Sequence, residues 1–339
     1  MTLAPRGDAT PLEISEPFPF ARREAPGDHR AGSLRVRGAL VLRDHPATAR
    51  TPREISGLAW SEDDRILYAV SDAGQLLHLR PRFEQEQLTA LYLLAVHPLT
   101  DAAGRALPRA AADAEGLALQ AGEDGVVGNS RLLISFEGRP LLAEHGTDGR
   151  RQRLLRLPPP LAEARLYASP NLGLEALAWH PAHGAILAPE RPVRGAAPGA
   201  VTLYAGDGTR WRYLVDDAAA QSITGLDSLP DGSLLALERR YARPWLPVVI
   251  TLSRLHPAAD GLKVEHLARF SSAEGWPVDN FEAIAHHRGG RFFIASDDNA
   301  SRWQRALIVY LAPRDADGDG AQRSSRRGIN STRLHGRVR

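Results

Sequence analysis

A short pattern that occurs five times along the chain constrains its fold more than any other feature. Each copy is a run of small and apolar residues, and a second apolar run follows after a turn segment such as SEDDR, LPDGS or HRGGR. The five first runs are EISGLAW at 54–60, AEGLAL at 114–119, LEALAW at 174–179, ITGLDS at 223–228 and FEAIAH at 281–286. Aligned on Ser56, Glu115, Glu175, Thr224 and Glu282, the copies are 59, 60, 49 and 58 residues apart. Such a period is typical of repeated supersecondary units.

Each pair of runs predicts an antiparallel hairpin, because turn residues separate two β-rich segments. Two more β-rich segments follow each of the first four hairpins, so each repeat supplies four strands. Repeated four-stranded antiparallel units are characteristic of a β-propeller. The sequence therefore predicts an all-β propeller of five four-stranded blades, with six blades as the alternative if a diverged blade lies within residues 80–112.

The last repeat has only three strands, which end with RALIVYLAP at 305–313. The segment SLRVRGALVLR at 33–43 belongs to no hairpin of its own and can supply the missing strand. An N-terminal strand in the last blade would close the ring and remove an exposed edge. We expect an N-terminal extension at 1–30, the propeller at 31–313 and a flexible, arginine-rich tail at 314–339.

Composition excludes several classes of protein. Of the 339 residues, 43% are hydrophobic and 24% are charged, which is the composition of a globular protein. The chain has no cysteine, so disulfides and thiolate chemistry are ruled out. The formal net charge is +2 and the arginines mostly stand beside acids, so we expect no nucleic-acid partner. The sequence predicts no membrane span, and its first residues contain no apolar run of the length that a signal peptide needs.

Glutamates at the aligned positions of the first strands predict a site. The first strand of each blade lines the central channel of a propeller, so Glu115, Glu175 and Glu282 would face one axis. Packed carboxylates repel one another unless a cation, a raised pKa or an arginine compensates them. A glutamate inside an apolar strand serves no helix cap or turn, which favours a functional role.

The second strands end in acids that form another predicted tier. These acids are Asp72, Glu137, Glu190, Glu238 and Asp297 with Asp298. Antiparallel pairing brings the end of a second strand level with the start of the first, so both tiers would share one mouth of the channel. Acids at strand ends also pair with arginine or accept backbone hydrogen bonds, so a purely structural role stays open for this tier.

Oxygen ligands without histidine favour Ca²⁺ over Zn²⁺. The predicted metal ligands are Glu115, Glu175, Glu282, Asp297, Asp72 and Asp113. The predicted substrate contacts are Arg239, Asn171, Asn280, Asp298 and Asn299. The predicted catalytic groups are Glu238 as the general base, with Arg139, Arg191 and Arg240 as clamps for an anionic group.

The ordered motifs EISGLAW, DAEGLAL, PNLGLEALAW, APERP, ALERRY and DNFEAIAHHRGGRFFIASDDN resemble the bacterial phytase-like domain family, known for esterase-like activity of phytase. The resemblance runs from about Arg53 to Asn299. It implies a propeller, a periplasmic or secreted location and a calcium-dependent hydrolase of phosphoesters or esters. The sequence departs from the commoner Glu-Gly pattern at Ala176 and Ala283, which bears on the geometry of the mouth.

Matching the motifs residue by residue carries the family's acidic and amide positions onto this chain. They fall on Asp113, Glu115, Glu175, Asn280, Glu282, Asp297, Asp298 and Asn299. The favoured function is hydrolysis of a small anionic substrate at the channel mouth. The alternatives are a binding or scaffold propeller with a structural ion, and a calcium-dependent lactonase; without export the protein would be cytoplasmic.

Overall fold

The computed structural model describes residues 11–43, 54–169, 173–196, 200–214, 221–241, 243, 245–258, 261–299 and 301–314. Within these ranges the chain forms 23 β-strands and three single-turn 3-10 helices. The helices are Arg109–Ala111, Ala164–Leu166 and Ser272–Glu274. No helix in these ranges is long and apolar enough to cross a membrane.

The strands form five sheets, which confirms the predicted five-bladed propeller. The N-terminal strands are β1 (Leu12–Glu13), β2 (Ser15–Pro17), β3 (Arg30–Ala31) and β4 (Leu34–Leu42). Blade 1 comprises β5 (Ile55–Ser61), β6 (Ile66–Ser71), β7 (Gln75–Glu84) and β8 (Gln87–Pro98), and blade 2 comprises β9 (Ala114–Gln120), β10 (Arg131–Phe136), β11 (Leu141–His145) and β12 (Arg151–Leu155). Blade 3 comprises β13 (Leu174–His180), β14 (Gly184–Pro189), β15 (Ala200–Ala205) and β16 (Arg210–Leu214). Blade 4 comprises β17 (Gln221–Ser228), β18 (Leu234–Arg240), β19 (Val249–Ala258) and β20 (Gly261–Ser271), and blade 5 contains β21 (Asn280–His286), β22 (Phe292–Asp297) and β23 (Leu307–Pro313).

Strand β4 completes blade 5, as the sequence predicts. It pairs antiparallel with β23, with Leu34 opposite Pro313 and Val41 opposite Leu307. The segment that could have held a sixth blade instead forms the long β7–β8 hairpin of blade 1 and the connection to blade 2. Gln85 and Glu86 form the tip of this hairpin with φ angles of 48° and 66°, as in a type I′ turn.

Residues 11–31 lie along the outside of the ring. Strand β1 pairs with β8 of blade 1, and β2 pairs with β4 of blade 5. The extension therefore bridges the outer strands of the two blades where the ring closes. The predicted C-terminal tail beyond Arg314 lies outside the described residues.

The hydrophobic core consists of five clusters, one between each pair of neighbouring blades. Consecutive residues of a strand contribute to opposite interfaces, since side chains alternate across a sheet. Phe293, for example, packs between blades 5 and 1, while Ile294 packs between blades 4 and 5. Burial on both faces explains why the hairpin strands are almost continuously apolar. The five first strands contact one another in a ring around the axis, with β21 against β5.

Candidate functional site

The pairing of the first and second strands shifts register at the same place in every blade. In blade 3, Leu174 pairs with Pro189 and Ala176 pairs with Ala188, which leaves Glu175 as an extra residue in the first strand. The corresponding extra residues are Ser56, Glu115 with Gly116, Thr224 and Glu282. A β-bulge of this kind re-aims a side chain relative to the sheet. It explains why an apolar strand carries a glutamate in three of the five blades.

The residue after each bulge sets the distance between neighbouring inner strands. A Cβ on Gly57 would lie 2.8 Å from the carbonyl oxygen of Glu115, and a Cβ on Gly116 would lie 2.9 Å from that of Glu175. A Cβ on Gly225 would likewise lie 2.8 Å from the carbonyl oxygen of Glu282. The glycine of one blade therefore packs against the backbone of the next blade's glutamate. Ala176 and Ala283, which replace glycine in blades 3 and 5, are buried in the core between blades.

Strand pairing corrects the predicted alignment of the second tier. In each blade, the residue just before the bulge pairs with a residue near the end of the second strand. The next residue along that second strand is the equivalent position in all blades. It is Asp72, Glu137, Glu190, Arg239 and Asp297 in blades 1 to 5. The prediction that every second strand carries an acid at this place is therefore wrong in blade 4. Glu238 pairs with Ile223, one residue earlier, and alternation directs its side chain to the opposite face of the strand.

Glu238 takes part in a separate network between blades 3 and 4. Its buried carboxylate accepts hydrogen bonds from the hydroxyls of Tyr213 and Ser253 and from the side-chain amide of Gln221. Arg240 lies on the same side and lines an outer cavity together with Glu238. Glu238 and Arg240, two of the four predicted catalytic residues, thus lie away from the acids of the channel mouth.

The mouth contains two overlapping carboxylate clusters that share Glu115. Oxygens of Asp72, Asp113 and Glu115 lie within 4.8 Å of one another, and so do oxygens of Glu115, Glu137 and Glu175. The three glutamates are buried, whereas the two aspartates are half-buried. Ser56 donates a hydrogen bond to Asp72, and the backbone N–H of Gly173 donates to Glu137 at 2.9 Å.

Arg239 organises the other side of the mouth. Its guanidinium donates to Glu282 and to the side-chain oxygen of Asn280, and its Nη2 lies 3.5 Å from Oε1 of Glu190. The amide group of Asn280 also donates to Glu282 at 2.9 Å and to Asp297 at 3.4 Å. The mouth therefore has an acid-only side formed by blades 1 to 3 and an arginine side formed by blades 3 to 5.

Burial and mutual repulsion raise the pKa values of these acids. Loss of water raises the pKa of Glu115 and Glu175 well above the ordinary range, and neighbouring carboxylates raise both further. Burial also raises the pKa of Asp72 and of Glu137 to about 7 and that of Asp297 to about 8. For Glu282, burial outweighs the opposing effect of Arg239, so its pKa is raised as well.

The remaining predicted residues differ in exposure and, where contacts are described, in their partners. The carboxylate of Asp298 accepts the N–H of Glu54 at 3.3 Å, whereas Asn299 is exposed and its N–H donates to Asp297 at 2.7 Å. Arg139 is exposed and Arg191 is half-buried. Asn171 lies outside the described residues.

The sequence prediction omitted Glu137 and Glu190 from the site residues, although it placed both in the second tier. Their common signal is the position at the end of the second strand, shared with Asp72 and Asp297. Glu190 also accepts a hydrogen bond from Ser222 at 3.1 Å, on the strand beside Arg239.

Residues 52–300 match the family model described as phytase-like, esterase-like activity of phytase. The chain belongs to this phytase-like family. The match covers all five inner hairpins and both acid tiers of the mouth. Among curated proteins, none matches the chain.

The phytase-like chain is similar to several solved structures at low sequence identity. A gluconolactonase from Xanthomonas campestris is 16% identical, with a TM-score of 0.45, over 91% of this chain and 99% of that one. A luciferin-regenerating enzyme is 10% identical, with a TM-score of 0.39, over 77% and 92% of the two chains. The WD40 repeats of RRP9 are 10% identical, with a TM-score of 0.37, over 84% and 99%.

Proposed function

We propose that the protein is a calcium-dependent hydrolase of small anionic phosphoesters or esters, acting at the acidic mouth of the channel. The observation that carries the proposal is the pair of overlapping carboxylate clusters joined by Glu115. Asp72, Asp113, Glu115, Glu137 and Glu175 would hold the cation. Membership of the phytase-like family supports the same class of reaction.

The spacing of the carboxylates fits a calcium ion. Ca²⁺ binds six to eight oxygens at about 2.3–2.6 Å, so two oxygens on one ion are at most about 5 Å apart. The oxygens in each cluster lie within 4.8 Å of one another. All candidate ligands are carboxylates, which suits a hard cation better than Zn²⁺. A divalent cation would also relieve the repulsion that raises their pKa values.

The other groups at the mouth would recognise and position the substrate. Arg139 and Arg191 follow Glu137 and Glu190 closely in the chain and would bind an anionic group beside the cation. Arg239 is already held by Glu282 and Asn280, so its role is to fix these two side chains. When bound, the cation would supply Lewis-acid polarisation of a phosphoryl or acyl oxygen.

Proton transfer needs an acid at the mouth, and Asp297 is the best placed. Burial and the neighbouring Glu282 raise its pKa to about 8, so the carboxyl is largely protonated at neutral pH in the metal-free protein. The N–H of Asn299 and the amide group of Asn280 hold its carboxyl oxygens at 2.7 and 3.4 Å. A protonated Asp297 can donate to a leaving oxygen. This assignment replaces the predicted role of Asp297 as a metal ligand.

The proposal is tested by assaying p-nitrophenyl phosphate, bis-p-nitrophenyl phosphate, p-nitrophenyl acetate and a γ-lactone, each with Ca²⁺ and with EGTA. We expect hydrolysis of at least one ester that EGTA abolishes, together with a higher melting temperature in Ca²⁺. Glu175→Gln should lose both effects. The matched control Glu265→Gln, whose side chain is 54% exposed on an outer strand, should keep them.

The assay separates the proposal from its alternatives. A calcium-dependent melting shift without hydrolysis would support the binding or scaffold propeller, and turnover of the lactone alone would support a lactonase. Absence of both hydrolysis and the melting shift would overturn the metal-dependent reaction altogether. The periplasmic or secreted location remains a prediction.

A further inference from the structure

A second cavity lies at the opposite end of the inner strands. It is lined by the residues four positions after each bulge residue, among them Trp60, Trp179 and His286. Four residues of β-strand span about 13 Å, so this cavity and the acidic mouth are separated by roughly that distance along the axis. All five blades contribute to its walls, and none of the lining residues belongs to the mouth.

Aspartates of blade 1 hold one wall of this cavity in place. The loop between β9 and β10, which includes the lining residues Glu123 and Asp124, packs on the β5–β6 turn. Asp63 accepts the backbone N–H groups of Asp124 and Gly125 at 2.9 and 3.1 Å. Asp64 in turn accepts the N–H of Gly128 at 2.7 Å. The wall is therefore fixed by hydrogen bonds, so the cavity is preformed.

The charge of the cavity is negative. Asp227, Glu123 and Asp124 line it, and none of its lining residues in the described part of the chain is an arginine or lysine. Burial lowers the pKa of His286, so this side chain is neutral at neutral pH. The charge of Asp231, which opposes this lowering of the pKa of His286, is also that of an acid.

Asp227 departs from the repeat that surrounds it. The equivalent residue is alanine in the four other blades, at positions 59, 118, 178 and 285. Burial raises the pKa of Asp227 to about 7, although its carboxylate accepts the N–H groups of Ser228 and His286 at 2.7 and 2.6 Å. A half-buried acid where alanine suffices elsewhere costs stability unless a ligand compensates its charge.

His286 provides an independent sign of a ligand. The residue is 8% exposed and lines the cavity. The imidazole makes no hydrogen bond to any residue in the described ranges. The hydroxyl oxygen of Ser228, which also lines the cavity, is buried and has no hydrogen-bond partner in the described part of the chain, although buried polar groups normally have one. His287, the neighbour of His286, by contrast pairs with the hydroxyl of Tyr310 at 2.6 Å.

We propose that this cavity binds a small organic ammonium ion, with Asp227 and Glu123 supplying charge and Trp60 and Trp179 supplying aromatic surface. Tryptophan is the best aromatic partner of an organic cation. Trp60 is held by a hydrogen bond from its indole N–H to Glu62 at 3.0 Å, and Trp179 packs on the core between blades 2 and 3. An anion would meet three acids, and a neutral ligand would leave their charge uncompensated.

The test is ¹H NMR of tetramethylammonium chloride with the full-length protein in EGTA, at chloride concentration held constant with NaCl. Neopentyl alcohol serves as the neutral probe of similar shape. We expect saturation transfer and an upfield ring-current shift for the tetramethylammonium methyl signal, and at least about tenfold weaker binding of neopentyl alcohol. Equal binding of the two probes, or no binding of tetramethylammonium, would overturn the proposal.

Variants locate the bound probe. Asp227→Asn, which keeps the size of the side chain, and Trp179→Leu should each weaken tetramethylammonium binding by about tenfold. Trp303→Leu is the matched control, because Trp303 is 80% exposed and follows β22, whose end lies at the acidic mouth. Unchanged binding in Asp227→Asn with an unchanged melting temperature would refute the assignment, even if Trp179→Leu failed to fold.

Discussion

Arg239 and Glu190 occupy equivalent positions in neighbouring blades, and Nη2 of the arginine lies 3.5 Å from Oε1 of the glutamate. This position of the repeat carries an acid in blades 1, 2, 3 and 5 and a guanidinium in blade 4. The guanidinium also donates to Glu282 of the next blade. One substitution within the repeat therefore balances Glu190 and Glu282 and leaves the carboxylates around Glu115 to repel one another.

Replacing this arginine should destabilise the protein strongly. Arg239→Met removes the positive charge from a side chain that is 16% exposed and leaves Glu282 and Glu190 uncompensated. Loss of one partner of a buried ion pair costs about 3–5 kcal/mol, which urea denaturation would measure. Arg254→Met is the control, because its partner Asp231 is 53% exposed and the loss should stay below about 1 kcal/mol. Equal losses in the two variants would contradict a balancing role for Arg239.

Removing a carboxylate from the acid-only side should stabilise the protein when no metal is present. Glu115→Gln removes a buried ionisable group from both clusters, and burial and the neighbouring carboxylates raise the pKa of Glu115 because they disfavour its charged form. We therefore expect the free energy of unfolding in EGTA to rise by about 1 kcal/mol, the typical size of a single-residue effect. The same change should remove the stabilisation by Ca²⁺, because Glu115 joins the clusters. Calorimetry in EGTA and in Ca²⁺ gives both values. A variant that keeps the full calcium effect would exclude Glu115 as a ligand.

The stability of the metal-free protein should fall with rising pH above about 6.5. Asp72 and Glu137, with pKa values of about 7, and Asp297, at about 8, bind protons in the folded state that the unfolded state has released. The free energy of unfolding therefore decreases as pH approaches 8. Buried His145 and His287, whose pKa values are lowered to about 4 and about 3, oppose this trend only below their ordinary pKa of 6.5.

Melting curves in EGTA between pH 6.5 and 8 test this dependence. The melting temperature should decline across the range, and Ca²⁺ should reduce the decline because it favours the ionised carboxylates. A melting temperature in EGTA that rises from pH 6.5 to 8 would be inconsistent with protonated acids at the mouth.

The contact between neighbouring inner strands should not tolerate a side chain on Gly116. A Cβ there would lie 2.7 Å from Cβ of Leu177 and 2.9 Å from the carbonyl oxygen of Glu175. We expect Gly116→Ala to cost about 1–3 kcal/mol through overpacking and to weaken Ca²⁺ binding by displacing Glu175. In Gly138→Ala the nearest atom is 3.5 Å away, so stability measured by urea denaturation should be almost unchanged. Similar stability of the two variants would show that the strands can separate freely.

The fold was predictable because its information is local and repeated. Apolar runs separated by turn residues predict hairpins, and five copies predict the blades. The unpaired strand at 33–43 predicts the closure by β4. The packing of residues 11–31 on the outer strands was not predictable in detail, because two- and three-residue strands carry almost no periodicity.

The site was predictable in its composition and only partly in its arrangement. Repeat alignment identified Glu115, Glu175 and Glu282, whose position in the strand the β-bulges explain. The same alignment misplaced Glu238, because ALERR contains an acid one residue before the position that faces the mouth. A shift of one residue in a strand reverses the direction of the side chain, and only the observed pairing identifies Arg239 as the equivalent residue.

Closure of the ring by β4 depends on the order in which the strands are synthesised. Leu34 and Pro313 are partners in the folded protein, yet they stand at opposite ends of the propeller sequence. At about 5–20 residues per second, roughly 270 residues of translation leave β4 without β23 for about 15–50 s. During that time β4 has no β23 to pair with, although six of its apolar side chains are buried in the folded protein. The ring can therefore close only after the ribosome has released β23, and until then residues 34–42 lack the partner that buries them in blade 5.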